Sequence, residues 1–367
     1  MNILMIASEY PPVPGGLANY TYLIAKYLSK NHDLKILRPH RRLIGIMGKV
    51  EALKLAKMVI CEIKENNNNY DIIHTIPINP YVALIAKYIR SKGYHLVTHG
   101  VGLDIYGNSP EYRLARKLLY RYSDKLICGA NFQKKIMLKE GCKHEKLSVV
   151  IGGVDTDIFR PCVCQDIRTK FNLDSDFIAM SIGRLIKRKG FDIAIKAMSY
   201  LRNEDITLVI VGDGPEGSNL VNLINKLSLG KRVKLLGFLP TEDLPKMYSV
   251  ANVLIAPFRV LGRDLEGFPL VIQESQACGT PVISTTTAGV PELVSNGRSG
   301  FLVQPESDIE IAEKIRLLYE NKKLLDKMSR CARRFAVERL DYRIIGKKIE
   351  QIFSTILEGE SHEITKI

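Results

Sequence analysis

The sequence predicts an α/β protein of two domains, each built on a doubly wound, mostly parallel β-sheet. Short apolar runs that are typical of strands alternate with longer segments of helical periodicity along the chain. A passage rich in glycine, proline and aspartate, residues 152–161, interrupts this alternation, which then restarts. With 367 residues, the chain is long enough to bury a core in each of two domains. We therefore predict domains over residues 1–160 and 161–342.

Six apolar runs in the first half are predicted to be strands. They are Asn2–Ala7, Leu34–Leu37, Asp71–Thr75, Tyr94–Thr98, Lys125–Cys128 and Leu147–Val150. The loop after the first strand, SEYPPVPGG, lacks the G-x-G-x-x-G spacing of dinucleotide-binding folds, so nicotinamide binding is not expected. Gly15 and Gly16 begin the next helix, where they allow a phosphate or a sugar to approach the backbone closely.

Six further apolar runs in the second half are predicted to be strands by the same reasoning. They are Phe177–Ile182, Ile206–Val211, Val233–Leu236, Val253–Ala256, Pro281–Ser284 and Phe301–Val303. The last helix of the chain repeats Ile and Phe at helical spacing and therefore has an apolar face that needs a partner.

The stretch EGFPLVIQE, residues 266–274, is the most informative part of the chain. It follows a predicted strand, and Pro269 and Gly279 suit the start and the end of a helix over Leu270–Ala277. The helix start then lies at the carboxyl end of a strand, with free N–H groups and the positive end of the helix dipole facing outward. This arrangement predicts an anion site that suits a phosphate.

Glu266 and Glu274 frame this helix. Eight helical residues span about 12 Å, which is more than the about 5–9.5 Å that separates the two carboxylates of a glycosidase. The spacing favours separate roles, in which Glu266 reaches from the loop toward a ligand and Glu274 accepts hydrogen bonds from paired hydroxyls such as those of a ribose. Two ordinary surface glutamates remain the alternative.

Arg184 and Lys189 lie in the strand-to-helix loop RLIKRK and can hold the two phosphates of a nucleotide diphosphate. A basic surface loop is the alternative, and Lys187 and Arg188 are predicted to be solvated. His74 and His99 fall at the ends of predicted strands, where open sheets bind ligands, although a role in backbone capping is the alternative for each.

Metal and cysteine patterns are weak. The Asp155-Thr156-Asp157 segment can hold a divalent ion beneath a diphosphate, but its place in the passage between the domains favours turn capping. Seven cysteines without metal-type spacing are typical of a reducing cytoplasm, and the close pair Cys162 and Cys164 is interpreted as incidental. No signal peptide and no run of about 18 apolar residues is found, so we expect a cytoplasmic protein without a membrane span.

Several segments together resemble glycosyltransferase family 4. They are Gly15-Gly16 after the first strand, THG (98–100), GVDTDIFRP (153–161), GRLIKRKG (183–190), VGDGP (211–215), EGFPLVIQESQACGTPV (266–282) and TAGVPELV (287–294). The resemblance spans nearly the whole chain, and the Glu-x7-Glu segment is its most specific part. Gly152 departs from the Asn found in many relatives, which bears on the geometry of the linker. The PPVPGG, RKG and ESQACG segments are also similar to mannosyltransferases of lipid or cell-envelope acceptors.

The resemblance implies a GT-B fold, in which two Rossmann-like domains face each other across a cleft and the last helix, residues 343–367, crosses back onto the acceptor-binding first domain. It also implies a retaining, metal-independent hexosyl transfer from a nucleotide-diphosphate-sugar, such as a UDP-sugar or GDP-mannose. The implied acceptor is a lipid-linked or cell-envelope glycan in polysaccharide biosynthesis, and no cofactor is expected.

The resemblance further implies a role for each matching position. The diphosphate would be held by Arg184 and Lys189, the ribose by Glu274, and the sugar by Glu266 with the Gly267–Phe268 backbone, while His99 would bond the donor sugar. The catalytic set is His99, Arg184, Lys189 and Glu266. Donor binding adds Gly16, Gly267, Phe268, Pro269, Leu270 and Glu274, and acceptor binding is assigned to Gly15, Gly16 and His99.

The mechanism expected from these roles is a front-face displacement assisted by the departing phosphate, because no Asp or Glu is placed as a covalent nucleophile. A sugar-nucleotide epimerase of the same architecture is one alternative, and a non-catalytic nucleotide-sugar-binding protein is another.

Charge is unevenly shared between the two halves. Residues 1–160 hold 24 Lys and Arg against 13 Asp and Glu, whereas residues 161–367 hold 29 against 26. Such asymmetry predicts an anionic partner for the first domain. Two basic stretches with apolar residues, 41–64 and 112–139, favour an anionic membrane surface over nucleic acid. The alternative is that their apolar residues face the sheet and their charges are simply solvated.

Overall fold

The computed structural model describes residues 1–13, 15–39, 45–66 and 69–364. Pro14 of the PPVPGG loop and Arg41 and Arg42 of the first basic stretch lie outside the described residues. The chain divides into two compact units, Met1–Gly153 with Tyr342–Ile367, and Val154–Asp341.

The first unit is an α/β layer structure around a parallel sheet. Its strands are β1 (Asn2–Ala7), β2 (Asp33–Leu37), β3 (Ile72–Ile76), β4 (His95–Gly100), β5 (Lys125–Cys128) and β6 (Leu147–Val149). Its helices are α1 (Gly16–Leu28), α2 (Gly45–Glu65), α3 (Pro80–Ser91), α4 (Leu103–Tyr106), α5 (Pro110–Tyr122) and α6 (Asn131–Lys139). In the described chain the strands pair in parallel, in the order β2-β1-β3-β4-β5-β6.

The second unit repeats this architecture. Its strands are β7 (Phe177–Ile182), β8 (Ile206–Val211), β9 (Val233–Gly237), β10 (Val253–Ala256), β11 (Val282–Thr285) and β12 (Gly300–Val303). Its helices are α7 (Gln165–Lys170), α8 (Phe191–Met198), α9 (Gly217–Lys226), α10 (Leu244–Val250), α11 (Leu270–Ala277), α12 (Asp308–Glu320) and α13 (Lys322–Phe335). The strand order is β12-β11-β10-β7-β8-β9, again parallel.

These two sheets confirm the predicted fold class. Central strands such as β8 are buried on both faces, which explains why they occur in the sequence as continuous apolar runs rather than as alternating patterns. In the second unit the strand order reverses between β7 and β10, so the loops that follow these two neighbours lie at the topological switch point of the sheet. Open α/β sheets bind their ligands at such a point.

The last helix, α14 (Tyr342–Ile364), belongs to the first unit. Its apolar face, with Ile345, Ile349 and Phe353, is fully buried and packs beside α1. Gly346 is required at this contact, because a Cβ atom there would lie 2.1 Å from the ring of Tyr27. The partner that the apolar spacing of this helix demanded is therefore the first unit itself.

Two further findings concern the expectations for cysteines and membranes. Cys162 and Cys164 form a disulfide, so their interpretation as an incidental pair is wrong. Within the described ranges, no helix combines the length and the apolar character needed to cross a bilayer.

Candidate active site

The switch point of the second unit is built by close approach of two loops. Gly190 ends the turn after β7 with φ +70°, and a Cβ atom at this position would lie 2.0 Å from the carbonyl oxygen of Pro257 in the loop after β10. Only glycine combines this left-handed conformation with so short an approach. The two loops that carry the residues predicted to bind the phosphates and the sugar are therefore in contact.

Arg259 stabilises the contact between these two loops. Its guanidinium forms two hydrogen bonds with the carboxylate of Asp192, at 2.6 and 2.7 Å, and its backbone N–H donates to the carbonyl of Arg188 at 2.8 Å. Burial lowers the pKa of Arg259, but the hydrogen bonds with Glu306 and Asp192 outweigh it, and the net pKa lies above the ordinary value. The turn that presents Lys189 is thus anchored to the following helix, α8.

Glu266 lies in a cluster of charges at this point. Its Oε2 atom is 3.0 Å from Nζ of Lys189 and 3.0 Å from Nε of Arg188, while Nη1 of Arg188 is 3.0 Å from Oδ1 of Asp264. Burial raises the pKa of Glu266, but the charges of Lys189 and Arg188 outweigh it, so the pKa lies below its ordinary value. The prediction that Arg188 is solvated is therefore wrong, because this side chain is half-buried and paired.

Glu274 lies about one turn into α11 in a different environment. Its Oε2 atom accepts a hydrogen bond of 2.8 Å from the hydroxyl of Tyr248, a fully buried side chain on α10. Burial raises the pKa of Glu274 to about 6, against the opposing effects of the Tyr248 hydrogen bond and the charge of Lys189. The alternative of two ordinary surface glutamates is wrong for both Glu266 and Glu274.

The remaining predicted residues of this unit surround the start of α11. Pro269 is the N-cap residue and makes no side-chain cap hydrogen bond, and Leu270 is the first helical residue. Gly267 and Pro269 are buried, whereas Arg184 is exposed and has no ion-pair partner among the described residues. Lys189 and Glu266 are thus brought into direct contact, and Arg184 is left available to a ligand.

In the first unit, the predicted glycines begin α1 after the loop that follows β1. Gly15 is the N-cap residue with φ 149°, a conformation that favours glycine, and both Gly15 and Gly16 are exposed. The loops after β1 and β3 are joined by a hydrogen bond of 2.8 Å from Nδ2 of Asn79 to Oγ of Ser8. Since β1 and β3 are neighbours where the strand order reverses, Gly15 and Gly16 lie near the switch point of this sheet.

His99 and His74 are fully buried, so the prediction that they open onto a ligand cleft needs correction. Helices cover both side chains, because His99 contacts Tyr20 of α1 and His74 contacts Phe353 of α14. Nε2 of His99 is 3.1 Å from the hydroxyl of Tyr20 on α1, and the two imidazole rings stack at 5.8 Å. Burial lowers the pKa of His74 to about 3 and that of His99 well below its usual range, which keeps both rings neutral.

The Asp155-Thr156-Asp157 segment forms a turn. Oδ1 of Asp155 accepts hydrogen bonds from the backbone N–H groups of Asp157 and Ile158, at 3.1 and 3.3 Å, which confirms the predicted capping role of Asp155. Across the parts of the chain that the structure describes, no three His, Cys, Asp or Glu side chains are grouped as metal ligands.

Comparison with known proteins identifies the family. Residues 165–335, most of the second unit, match the family described as glycosyl transferases group 1. The second unit therefore carries a glycosyl transferases group 1 domain. A curated relative over nearly its full length is the GDP-mannose-dependent alpha-(1-6)-phosphatidylinositol monomannoside mannosyltransferase of Mycolicibacterium smegmatis, which is 24% identical over 96% of this chain and 98% of that protein. The D-inositol 3-phosphate glycosyltransferase 1 of Catenulispora acidiphila is 30% identical over 69% of this chain and 65% of that protein.

Solved structures show that this glycosyltransferase has the GT-B fold of two Rossmann-like domains. The crystal structure of Anabaena HepE in complex with UDP superposes with a TM-score of 0.80 at 23% identity, covering 97% of this chain and all of that one. A sucrose-phosphate synthase from Thermosynechococcus elongatus gives a TM-score of 0.81 at 19% identity, covering 98% of this chain and all of that one. The GT-B prediction is confirmed.

Four residues of this glycosyltransferase site were not found from the sequence: Arg188, Tyr248, Arg259 and Tyr20. Arg188 is next to Lys189, a residue predicted to bind the diphosphate, so its position in the loop was a usable signal. The other three are distant in sequence from the groups they contact, and only the packing of the strands brings them there.

Proposed function

We propose that this glycosyltransferase moves a hexose from a nucleotide-diphosphate-sugar to a lipid-linked or cell-envelope glycan acceptor, with retention of the anomeric configuration. The observation that carries the proposal is the cluster at the start of α11, where Lys189 and Arg188 meet Glu266 at the switch point of a Rossmann-like sheet. Cations, free helix N–H groups and a carboxylate are what a sugar diphosphate needs.

The cations act on the leaving group in this proposal. Departure of the nucleoside diphosphate builds negative charge on its phosphates, and Arg184, Lys189 and the amino end of α11 stabilise that charge. Lys189 is held by Glu266 and lies over the ring of Phe258 at 4.9 Å, so its ammonium is placed before the donor arrives. These fixed positive groups are proposed to serve without a bound metal, and no cofactor is invoked.

The carboxylates divide the recognition of the donor. Glu266, with the backbone of Gly267 and Phe268, is proposed to contact the sugar, and Glu274 to accept hydrogen bonds from the ribose. Because Glu266 is ion-paired with two cations, it is a poor covalent nucleophile, which supports a front-face displacement assisted by the departing phosphate.

The first unit is proposed to supply the acceptor side. The exposed backbone of Gly15 and Gly16 suits close approach of a phosphate or an acceptor hydroxyl. His99 is proposed to contact the donor sugar through Nδ1, which has no hydrogen-bond partner among the described residues, while Tyr20 occupies Nε2. Such a contact requires the buried ring to become accessible when the donor binds.

The names of similar proteins suggest candidate donors. GDP-mannose is the donor named for the mycobacterial relative, and HepE has been crystallised with UDP-glucose. We propose GDP-mannose as the first donor to test and UDP-glucose as the second. A polyprenyl-phosphate-linked glycan or a phosphatidylinositol mannoside is a suitable first acceptor.

A donor screen tests the proposal. Thermal unfolding is measured with UDP-, GDP- and ADP-sugars, because a ligand at a hundredfold excess over its Kd stabilises by about 2.7 kcal/mol. The stabilising donor is then incubated with and without acceptor, and the products are analysed by NMR. An α-linked product from an α-linked donor is expected. An isomerised donor without acceptor indicates an epimerase, and binding without any turnover indicates a non-catalytic protein.

We further propose that the first unit docks on an anionic membrane surface from a cytoplasmic location. Its exposed face along α2 carries Lys57 and Lys64, which have no ion-pair partner among the described residues, beside the exposed apolar side chains Val50 and Leu53. A mixed basic and apolar helix face of this kind is suited to an interface of acidic headgroups.

A further inference from the structure

We propose that Tyr248 is a positioning residue for the donor, whose hydroxyl fixes the carboxylate of Glu274 so that its other oxygen faces the ribose. The inference rests on the proposed function, in which Glu274 accepts hydrogen bonds from the ribose hydroxyls. Nothing in the sequence motifs assigns a role to Tyr248.

The geometry at Glu274 is one-sided. The Tyr248 hydroxyl donates to Oε2 at 2.8 Å, and within the described ranges no protein group donates to Oε1. Glu274 as a whole is partly exposed, whereas Tyr248 is fully buried. One oxygen is therefore committed to the protein on the buried side, and the other is left to a ligand.

Tyr248 is itself held rigidly. Its carbonyl oxygen accepts a hydrogen bond of 2.6 Å from Oγ1 of Thr280, and its ring meets the ring of Phe159 edge-on at 6.0 Å. Thr280 follows the end of α11 and its N–H donates to the carbonyl of Ser275 on that helix. The donor of the hydrogen bond and the helix that carries its acceptor are thus tied together, so the carboxylate has little freedom to turn.

The charges around Glu274 make this bond matter for its ionisation. Burial raises the pKa of Tyr248 well above its ordinary value, so the phenol stays a donor across the physiological range. The same burial acts on Glu274, and the Tyr248 bond and Lys189 oppose it. Cys278 at the end of α11 also faces this carboxylate, and burial raises the pKa of its thiol to about 12, so it adds no charge. Tyr248 therefore helps Glu274 to remain an ionised acceptor.

The test compares ribose with deoxyribose ligands. Binding of UDP and 2′-deoxy-UDP, and of GDP and 2′-deoxy-GDP, is measured by calorimetry on the full chain at pH 7. Wild type, Tyr248→Phe and Glu274→Gln are compared, with Tyr319→Phe as a matched control, because the Tyr319 hydroxyl accepts a bond from the backbone of Asp205 in the same unit and lies away from Glu274.

Tyr248→Phe is expected to weaken binding about tenfold for whichever of UDP and GDP binds the wild type more tightly. It is also expected to reduce the ratio of that affinity to the affinity for the 2′-deoxy form. The pH midpoint of its affinity is expected to move upward by about one unit, since loss of the bond favours the protonated carboxyl. Affinity then recovers as the pH rises above this midpoint. Tyr319→Phe should leave the ribose preference and the midpoint unchanged.

The outcomes separate the two claims. If Glu274→Gln abolishes the ribose preference but Tyr248→Phe keeps both the preference and the pH midpoint of wild type, Tyr248 does not position Glu274 and the inference is overturned. If Glu274→Gln retains the preference, the ribose assignment in the proposed function is wrong, and the inference fails with it. A Tyr248→Phe protein that unfolds is replaced by Thr280→Val, which loosens the carbonyl of Tyr248 and should reduce the ribose preference to a smaller extent.

Discussion

Lys189 and Arg184 carry the same charge in very different surroundings. Lys189 is nearly buried, its ammonium is 3.0 Å from the carboxylate of Glu266, and it lies over the ring of Phe258. Arg184 is exposed and has no ion-pair partner among the described residues. Lys189 therefore enters the reaction already oriented, and Arg184 must be ordered by the ligand. An exposed arginine can still bind a diphosphate firmly, because charge-assisted hydrogen bonds are strong.

Both cations are expected to be needed for catalysis. Lys189→Ala and Arg184→Ala should each lower kcat/KM by roughly 10²–10³, because each removes a cation that stabilises the negative charge of the leaving group in the transition state. Steady-state kinetics with the identified donor checks this. Lys187→Ala is the matched control, since its side chain is exposed and its substitution should leave kcat/KM unchanged. Full activity of either alanine variant would remove that cation from the mechanism.

Asp155 and Asp157 provide a second prediction at the scale of single residues. Because Asp155 caps the backbone of its own turn, we expect transfer to continue in EDTA and Asp157→Ala to retain nearly full activity. Asp155→Ala should instead lower the melting temperature, as loss of a capping side chain costs about 1 kcal/mol. Metal independence would be contradicted if EDTA stopped transfer by the wild type and added Mn²⁺ or Mg²⁺ restored transfer by the wild type but not by Asp157→Ala.

At the scale of elements, α11 combines a ligand-binding end with an unusual buried face. Gln273 and Gln276 are both fully buried. Nε2 of Gln276 donates to the carbonyl of Leu293 at 2.7 Å, but both amide atoms of Gln273 have no hydrogen-bond partner among the described residues. A buried amide without partners costs free energy of folding, so this helix is less stable than its packing allows.

A pair of substitutions in α11 tests this. Gln273→Met keeps the volume and removes the unpaired amide, so it should raise the free energy of unfolding by about 1–3 kcal/mol in urea titrations. Gln276→Met breaks the bond to Leu293, so it should be less stable than Gln273→Met by a similar amount. A Gln273→Met protein less stable than wild type would mean that the amide of Gln273 serves the fold in another way.

The elements themselves were largely predictable. All twelve predicted strands occur, and β1, β5, β7, β8 and β10 have the predicted bounds, because strands buried on both faces leave continuous apolar runs in the sequence. β3 and β4 end later than predicted, but His74 and His99 are buried because Phe353 of α14 and Tyr20 of α1 cover them. The sequence around a polar residue near a strand end does not reveal which distant helix covers it.

The candidate site was predictable in part. The phosphate-binding and sugar-binding positions follow from local patterns, since a strand, a loop and a helix start lie next to each other in the sequence. The Arg188–Glu266 pair and the Tyr248–Glu274 bond join residues 78 and 26 positions apart. Such contacts depend on which strands are neighbours in the sheet, and strand order is not encoded in local periodicity.

At the scale of the whole molecule, not all of the positive charge in the first half lies on a free surface. Arg116, predicted to belong to the basic surface, is fully buried and binds Glu140 at 2.6 and 3.0 Å. Lys49 and Lys54 are paired with Glu111 and Glu51, each at 2.8 Å. Part of the charge is therefore structural or neutralised, and the alternative of apolar residues that face the sheet holds for the buried side of α2.

A smaller basic and apolar surface remains on three adjacent helices of the first unit, since α3 packs against both α2 and α5. Its apolar members are exposed by more than half: Leu53 at 56%, Leu84 at 58% and Leu114 at 51%. Lys57, Lys64 and Lys117 accompany them and are exposed without ion-pair partners among the described residues. Apolar side chains and free cations on one face are the combination that an anionic membrane interface selects.

Flotation with liposomes tests this surface. The protein should float with vesicles that contain acidic lipid and less so as salt rises, because headgroup attraction is screened. The triple variant Lys57→Gln/Lys64→Gln/Lys117→Gln should weaken binding about 10²-fold, at about 1 kcal/mol per lysine near the surface. Lys322→Gln/Lys323→Gln/Lys327→Gln on α13 of the second unit removes the same charge and should bind as wild type does. If both triple variants weaken binding equally, net charge rather than this surface is responsible, and if wild type ignores acidic vesicles at low salt, the acceptor must reach the enzyme from solution.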